Sequence, residues 1–371
     1  MSDVALASIG SIFLWSYALA SPLAGYIGDR FSRSTVIVGS LAAWSAVMLF
    51  NGMAQTQGQL LAMRIPLGIA EAFYIPAAIA LIGDHHAGAT RAKAFSIHLC
   101  GFYTGSIVGA SLSGYLGNLH GWRLPQLLLG AVGLAFAAVA HFVLRDGPAR
   151  EKAPEAAERP GLIESLRELA RVPTYWILVA DAFLMGAVVF ILTAWLPLFL
   201  HENFRLNLGA AGFQGSFFLM GGSVLGVLAG GAISDAVGRH GKRLRMLTQS
   251  CAYALSVPIL LVFLISPNLM ALQAALFVFM LIRYGGGANA NPVLCDLIPS
   301  NRRSVAFGVM NLCSCMSGGA AILITGALKT KYGLMAIFAS ASVFVLASAL
   351  IVWLGYARFL DRDLARAGSH P

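Results

Sequence analysis

Four charged side chains stand inside long apolar stretches of this chain, away from their ends: Arg64, Glu71, Asp181 and Arg283. Such groups are expensive away from water, so each carries a functional expectation. Two guanidinium groups can grip a carboxylate or phosphate through charge-assisted hydrogen bonds. Two carboxyls in a dry site can take up and release protons. Arg64 and Glu71 are two helical turns apart, within about 20° of one face and roughly 10 Å apart along the axis. They suit two depths of one cavity rather than a simple pair. Tyr74 adds a hydroxyl on nearly the same face. Arg64, Tyr74 and Arg283 are the expected substrate-binding residues. Glu71 is the first candidate for proton coupling, Asp181 the second and His98 the third, with a packed core histidine as the competing reading of His98. The competing reading of the four charges is a set of structural salt bridges between helices.

The elements that hold these residues are apolar helices. Of 371 residues, 58% are hydrophobic and 11% are charged, about half the charged share of a soluble domain. Stretches of about 20 residues or more, enough to cross a bilayer, recur at 4–28, 34–54, 60–83, 94–117, 125–144, 173–200, 210–234, 244–265, 269–298, 304–328 and 334–357. The chain reads as an all-α polytopic membrane protein. Residues 1–144 form a first bundle, 145–172 a charged linker, 173–357 a second bundle and 358–371 a tail. Within the linker, "GLIESLRELAR" reads as an amphipathic helix on the membrane surface. With residues 29–33 taken as cytoplasmic, the inside segments hold 19 of the 25 Lys and Arg. This positive-inside bias puts the C-terminus in the cytoplasm. The net charge of +9 is thus a topology signal with some anionic-lipid contact, and no nucleic-acid partner is implied.

A short charged turn is written twice, as "GYIGDRFSR" (25–33) and "GAISDAVGR" (231–239). Gly25 and Asp29 match Gly231 and Asp235, and the arginines are Arg30, Arg33 and Arg239. Each copy ends one span and starts another, so the halves are parallel repeats. A carboxylate at a helix end can hold a neighbouring helix N-terminus or an arginine, which makes the turns candidate gating latches. A solvated loop with topology charges is the alternative. One span precedes the helix leading to Asp235, and its counterpart is absent before Asp29. The expectation is a late start that omits a first helix.

The paired turns, the linker and "RIPLGIAEAFYIPAA" (64–78) resemble the major facilitator superfamily, over essentially the whole chain. The resemblance implies two pseudo-symmetric six-helix bundles, here with eleven of twelve helices present. It also implies that the helices bearing Arg64, Glu71, Asp181 and Arg283 line a central cavity. "TAWLPLFLHENFRLNLGAAGF" (193–213), Glu71 and "GGANANPVLCDLIPSNRRSVAFGVMN" (286–311) resemble the anion:cation symporter and Spinster-like subgroups. On that resemblance Asn289 joins the substrate-binding set. Gly285, Gly286 and Gly287 beside Pro292 mark a point where the helix can bend. Gly101, Gly105 and Gly109 resemble an exporter motif without its proline; close helix packing is the simpler reading.

No phosphate loop, metal-ligand cluster or nucleophile–base set is visible, so an enzyme is not expected, nor any cofactor or metal. The five cysteines all fall in spans and read as packing residues. The expected function is a secondary active transporter of a small organic anion in the plasma (inner) membrane. It would work as a monomer by alternating access, coupled to a proton or another ion. The alternatives are a Spinster-like carrier of lysolipids or sphingoid lipids, and a non-transporting sensor or inactive fragment.

Overall fold

The computed structural model describes residues 2–86, 89–146, 161–265, 268–299 and 302–368. Every regular element among them is helical: α1 (Asp3–Arg30), α2 (Arg33–Met53), α3 (Gln57–Ala72), α4 (Tyr74–His85), α5 (Ala89–His120), α6 (Arg123–Val143), α7 (Leu162–Leu169), α8 (Pro173–Phe204), α9 (Leu208–His240), α10 (Leu244–Leu260) with a 3-10 turn at Leu261–Ile265, α11 (Leu269–Gly287), α12 (Ala290–Leu297), α13 (Arg303–Arg358) and α14 (Leu360–Gly368). Lipid offers the backbone no hydrogen-bond partner, so apolar segments close their bonds internally as helices. Nine stretches among the described residues are long and apolar enough to cross a membrane. One of them, Val305–Arg358, is two helices joined at Gly333, whose φ of 74° is left-handed. Counting both arms of α13, and adding the 32-residue α5, the helices follow the eleven expected spans to within a few residues.

Among the described residues, two spans are broken between one α-helix and the next. α3 gives way to α4 at Phe73, and α11 to α12 at Ala288–Asn289. A proline lies three or four residues beyond each break, Pro76 and Pro292. Proline has no N–H to give the carbonyl one turn back, and its ring crowds that carbonyl. Ala72 and Ala288 therefore lose the bonds a continuous helix would supply. The sequence pointed to the second break; the first was not expected.

The chain divides into two compact units, residues 1–159 with 205–213, and residues 160–204 with 214–371. In the first, α1 packs along α3, and α2 lies against α6 and α3. In the second, α8 runs along α13, and α10 packs on α13 and α11. Gly222, Gly226 and Gly230 on α9 meet the backbone of Phe277, Leu281 and Gly285 on α11, stepping by four residues on both helices. A side chain at any of the three would run into backbone, so this seam accepts only glycine without a shift. Gly101, Gly105 and Gly109 depart from the packing expected of them: nothing among the described residues lies within 4 Å of where their Cβ atoms would be. Residues 358–371, read as a tail, include α14, which docks in the second unit. Leu360 is buried in its core, and the Asp363 carboxylate accepts bonds from Thr174 N (2.9 Å) and Oγ1 (2.7 Å) at the start of α8. A carboxylate at a helix N-terminus is favoured by the dipole.

Candidate functional site: buried charges in each unit

In the first unit, Arg64 and Glu71 both lie on α3, before the break, and Tyr74 opens α4 just after it. No ion pair joins Arg64 and Glu71 among the described residues, as two turns of separation requires. Arg64 Nε is buried with no hydrogen-bond partner. The Tyr74 ring meets Trp44 of α2 edge-on at 5.4 Å and His98 of α5 at 5.9 Å. Tyr74 therefore joins three helices, and His98 is placed against an aromatic ring.

In the second unit, Asp181 of α8 is 4% exposed. Its Oδ2 accepts a bond from Gln249 Nε2 at 2.8 Å, and its Oδ1 accepts one from Ser348 Oγ. Gln249 Nε2 also reaches Tyr253 Oη at 3.4 Å. Arg283 of α11 stacks over the Tyr284 ring at 4.1 Å, and its buried Nε has no partner. Asn289 is fully buried at the helix break, where its Nδ2 donates to the Gly286 carbonyl at 3.0 Å and its Oδ1 is unpartnered. Gln249, Tyr253 and Ser348 did not emerge from the sequence.

Of the turn residues, Gly25, Asp29 and Arg30 end α1, but their side chains lie outside those the structure describes. Arg33 donates to Asp84 and to the Ala80 carbonyl (2.9 Å). In the second copy Gly231 has open space around it, and Asp235 and Arg239 are exposed, with no ion pair among the described residues. There the pairing passes to Arg245, which bonds Asp296 at 2.9 Å and the Ser234 carbonyl at 3.4 Å; Lys242 also reaches Asp296 at 3.1 Å. One offset of 212 residues carries Arg33 onto Arg245 and Asp84 onto Asp296. The same offset carries Glu71 onto Arg283. A search for acid–base pairs repeating at constant offset would have found Asp84, Arg245 and Asp296 in the sequence.

Apolar helices of spanning length, folded as two units with charges inside each, define an integral multi-pass membrane protein. The Major Facilitator Superfamily model matches residues 1–322, and the chain belongs to that family. It is 26% identical to an MFS-type efflux pump of Mycolicibacterium smegmatis over 66% of this chain and 56% of that protein. It is 25% identical to the D-galactonate transporter of Escherichia coli over 96% of this chain and 87% of that protein. The chain spans about half the length of the first curated relatives it matches, 56% and 43% for two of them. A crystal structure of a bacterial homolog of the human lysosomal transporter Spinster, inward-facing and occupied, superposes with a TM-score of 0.80. It covers 98% of this chain and 90% of that chain at 19% identity, a likeness of fold.

Proposed function

We propose that this chain is a secondary active transporter that moves a small organic anion together with a proton by alternating access. One observation carries the reading: Arg64 and Arg283 each keep a buried Nε–H with no acceptor among the described residues. A buried donor without a partner is uncommon and costly, and a substrate carboxylate is the acceptor such donors suit. A transporter of D-galactonate among the relatives makes a hydroxylated carboxylate the substrate class to test first. The Tyr74 hydroxyl and Asn289, at the helix break, serve substrate hydroxyls. Glu71 is the coupling acid, with Asp181 as second candidate. The Gly25–Arg33 and Gly231–Arg239 turns gate the cycle, with the Arg33–Asp84 and Arg245–Asp296 pairs holding the helices beside them. The protein works as a monomer in the plasma membrane with its C-terminus in the cytoplasm.

The test is equilibrium binding to purified protein, comparing D-galactonate with a lysophospholipid series. D-Galactonate is expected to bind, and Arg283→Ala to weaken it at least about tenfold, the least expected for a lost charge-assisted bond. Affinity that grows with each methylene of the lysolipid and ignores Arg283 would replace the anion with a lipid, the Spinster-like reading.

A further inference from the structure

The short helix α7 is rolled in one particular way against the second unit. Ser165 and Leu169 are buried, and Leu169 belongs to the core that Tyr175, Met246 and Leu297 share. Both acids of the helix are taken up by a single arginine. Arg302, the residue before α13, meets Glu168 at 2.5 Å and Glu164 at 3.6 Å. What remains outward is apolar and basic. Ile163 is 76% exposed, Leu162 56% and Leu166 36%, and the three fall within about 100° of one another around the helix. Arg167 follows Ile163 around that circumference, and Arg171 stands two residues before α8. Both are exposed and have no ion pair among the described residues. A cluster of large apolar side chains turned outward marks a contact surface. The chain itself holds this one at the lipid boundary, because α7 ends at Leu169 and the span α8 begins at Pro173. Trp176, exposed on the first turn of α8, has the amphipathic ring that settles among lipid headgroups. Arg302 neutralises the two acids, so the outward face keeps the charge of its arginines and suits a negatively charged surface.

We infer that α7 is a docking surface for anionic phospholipid. Leu162, Ile163 and Leu166 sink into the boundary between headgroups and acyl chains, and Arg167 and Arg171 bind the lipid phosphates. Arg302 touches no lipid and is a positioning residue. Without it, Glu164 and Glu168 would lend two negative charges to the same helix and offset both arginines. An amphipathic helix was legible in the sequence; which of its charges meet protein and which meet lipid follows from this roll. The inference is independent of what the protein carries.

The experiment places a solvatochromic fluorescent amino acid at position 163 of the full chain, an exposed site. In nanodiscs, quenching by brominated lipid reports immersion and quenching by acrylamide reports water. Brominated lipid is expected to dominate, at the depth of about 5–10 Å usual for interfacial helices. Dominant acrylamide quenching would leave α7 in water and overturn the inference. Weak quenching by both would mean that protein covers the face, which overturns it too. The same protein in a non-ionic detergent is then titrated with phosphatidylglycerol or with phosphatidylcholine, read by the blue shift of the label. Phosphatidylglycerol is expected to act at about a twentyfold lower concentration, each arginine near an anionic surface being worth about fivefold. Arg167→Gln with Arg171→Gln is expected to abolish that preference. Arg302→Ala is expected to weaken it, and Glu164→Gln with Glu168→Gln in that background to restore it, a rescue that a merely structural role for Arg302 would not produce. An equal response to both lipids, or a preference that survives loss of both arginines, would overturn the anionic assignment.

Discussion

At the scale of single residues, the transport reading turns on Glu71. Of Glu71 and Asp181, it is the acid with no bonded partner among the described residues, and it shares a helix with Arg64. Glu71→Gln keeps the shape and removes the titration. Accumulation of D-galactonate against its gradient is expected to vanish while counterflow exchange survives, because exchange moves no net proton. Persistent accumulation in proteoliposomes would disqualify Glu71. The four charges were legible in the sequence because a charge inside an apolar stretch stands out. Gln249, Tyr253 and Ser348 were not, because uncharged polar side chains recur along these spans and only the packing of α8, α10 and α13 selects these three. Asn289 was legible as a special position, yet its side chain bonds the Gly286 carbonyl, a local bond that residue type alone does not announce.

At the scale of elements, the ion pairs pin helices. Arg33 begins α2 and Asp84 is the penultimate residue of α4. Their side chains are 19% and 14% exposed, so each depends on the other more than a surface pair does. Asp84→Ala leaves Arg33 with the Ala80 carbonyl and is expected to cost roughly 1–3 kcal/mol, the penalty of an orphaned, largely buried group. Exchanging the two, Arg33→Asp with Asp84→Arg, is expected to recover a good part of the thermal unfolding midpoint in detergent. If the exchange is as unstable as the single variant, the pair does not hold these helices. The helices themselves could be read from hydropathy and turn residues, because lipid leaves the backbone no alternative. The break in α11–α12 was legible from three glycines before Pro292. The one at Phe73 was not, because Pro76 lacks such neighbours and a lone proline within a span is compatible with an unbroken helix. The seam between α9 and α11 was not expected: Gly222, Gly226 and Gly230 recur every fourth residue, but nothing in the sequence names the backbone they meet.

At the scale of the molecule, duplication organises the chain. The repeated turn revealed it, and the 212-residue offset extends it to the Arg33–Asp84 and Arg245–Asp296 pairs. The copies are not equal. The arginine eight residues after the turn's glycine is bonded in the first copy and exposed in the second, where Arg245 takes over. Spacing within a motif could show that the turn recurs, but not which arginine is used, since the α9–α10 connection places Arg245 where Arg33 stands. The docking of α14 through Asp363 also lay beyond the sequence: a short charged segment after the last span reads as a tail until a helix N-terminus is found beneath it.

The two arginines and two acids away from the span ends, Arg64, Arg283, Glu71 and Asp181, sum to zero, and this has an electrical consequence. In the proposed cycle the empty carrier, with Glu71 ionised, carries no net charge at those positions. Loaded with a monoanion and one proton, it again carries none. Neither limb should then feel the membrane voltage, and clamping proteoliposomes with potassium and valinomycin is expected to leave D-galactonate uptake unchanged. A dianion such as D-glucarate with a single proton carries one uncompensated negative charge. An inside-negative voltage of about 100 mV would oppose its entry by about 2.3 kcal/mol. Measuring uptake of the two sugar acids across a series of clamped voltages therefore counts the protons that accompany each of them.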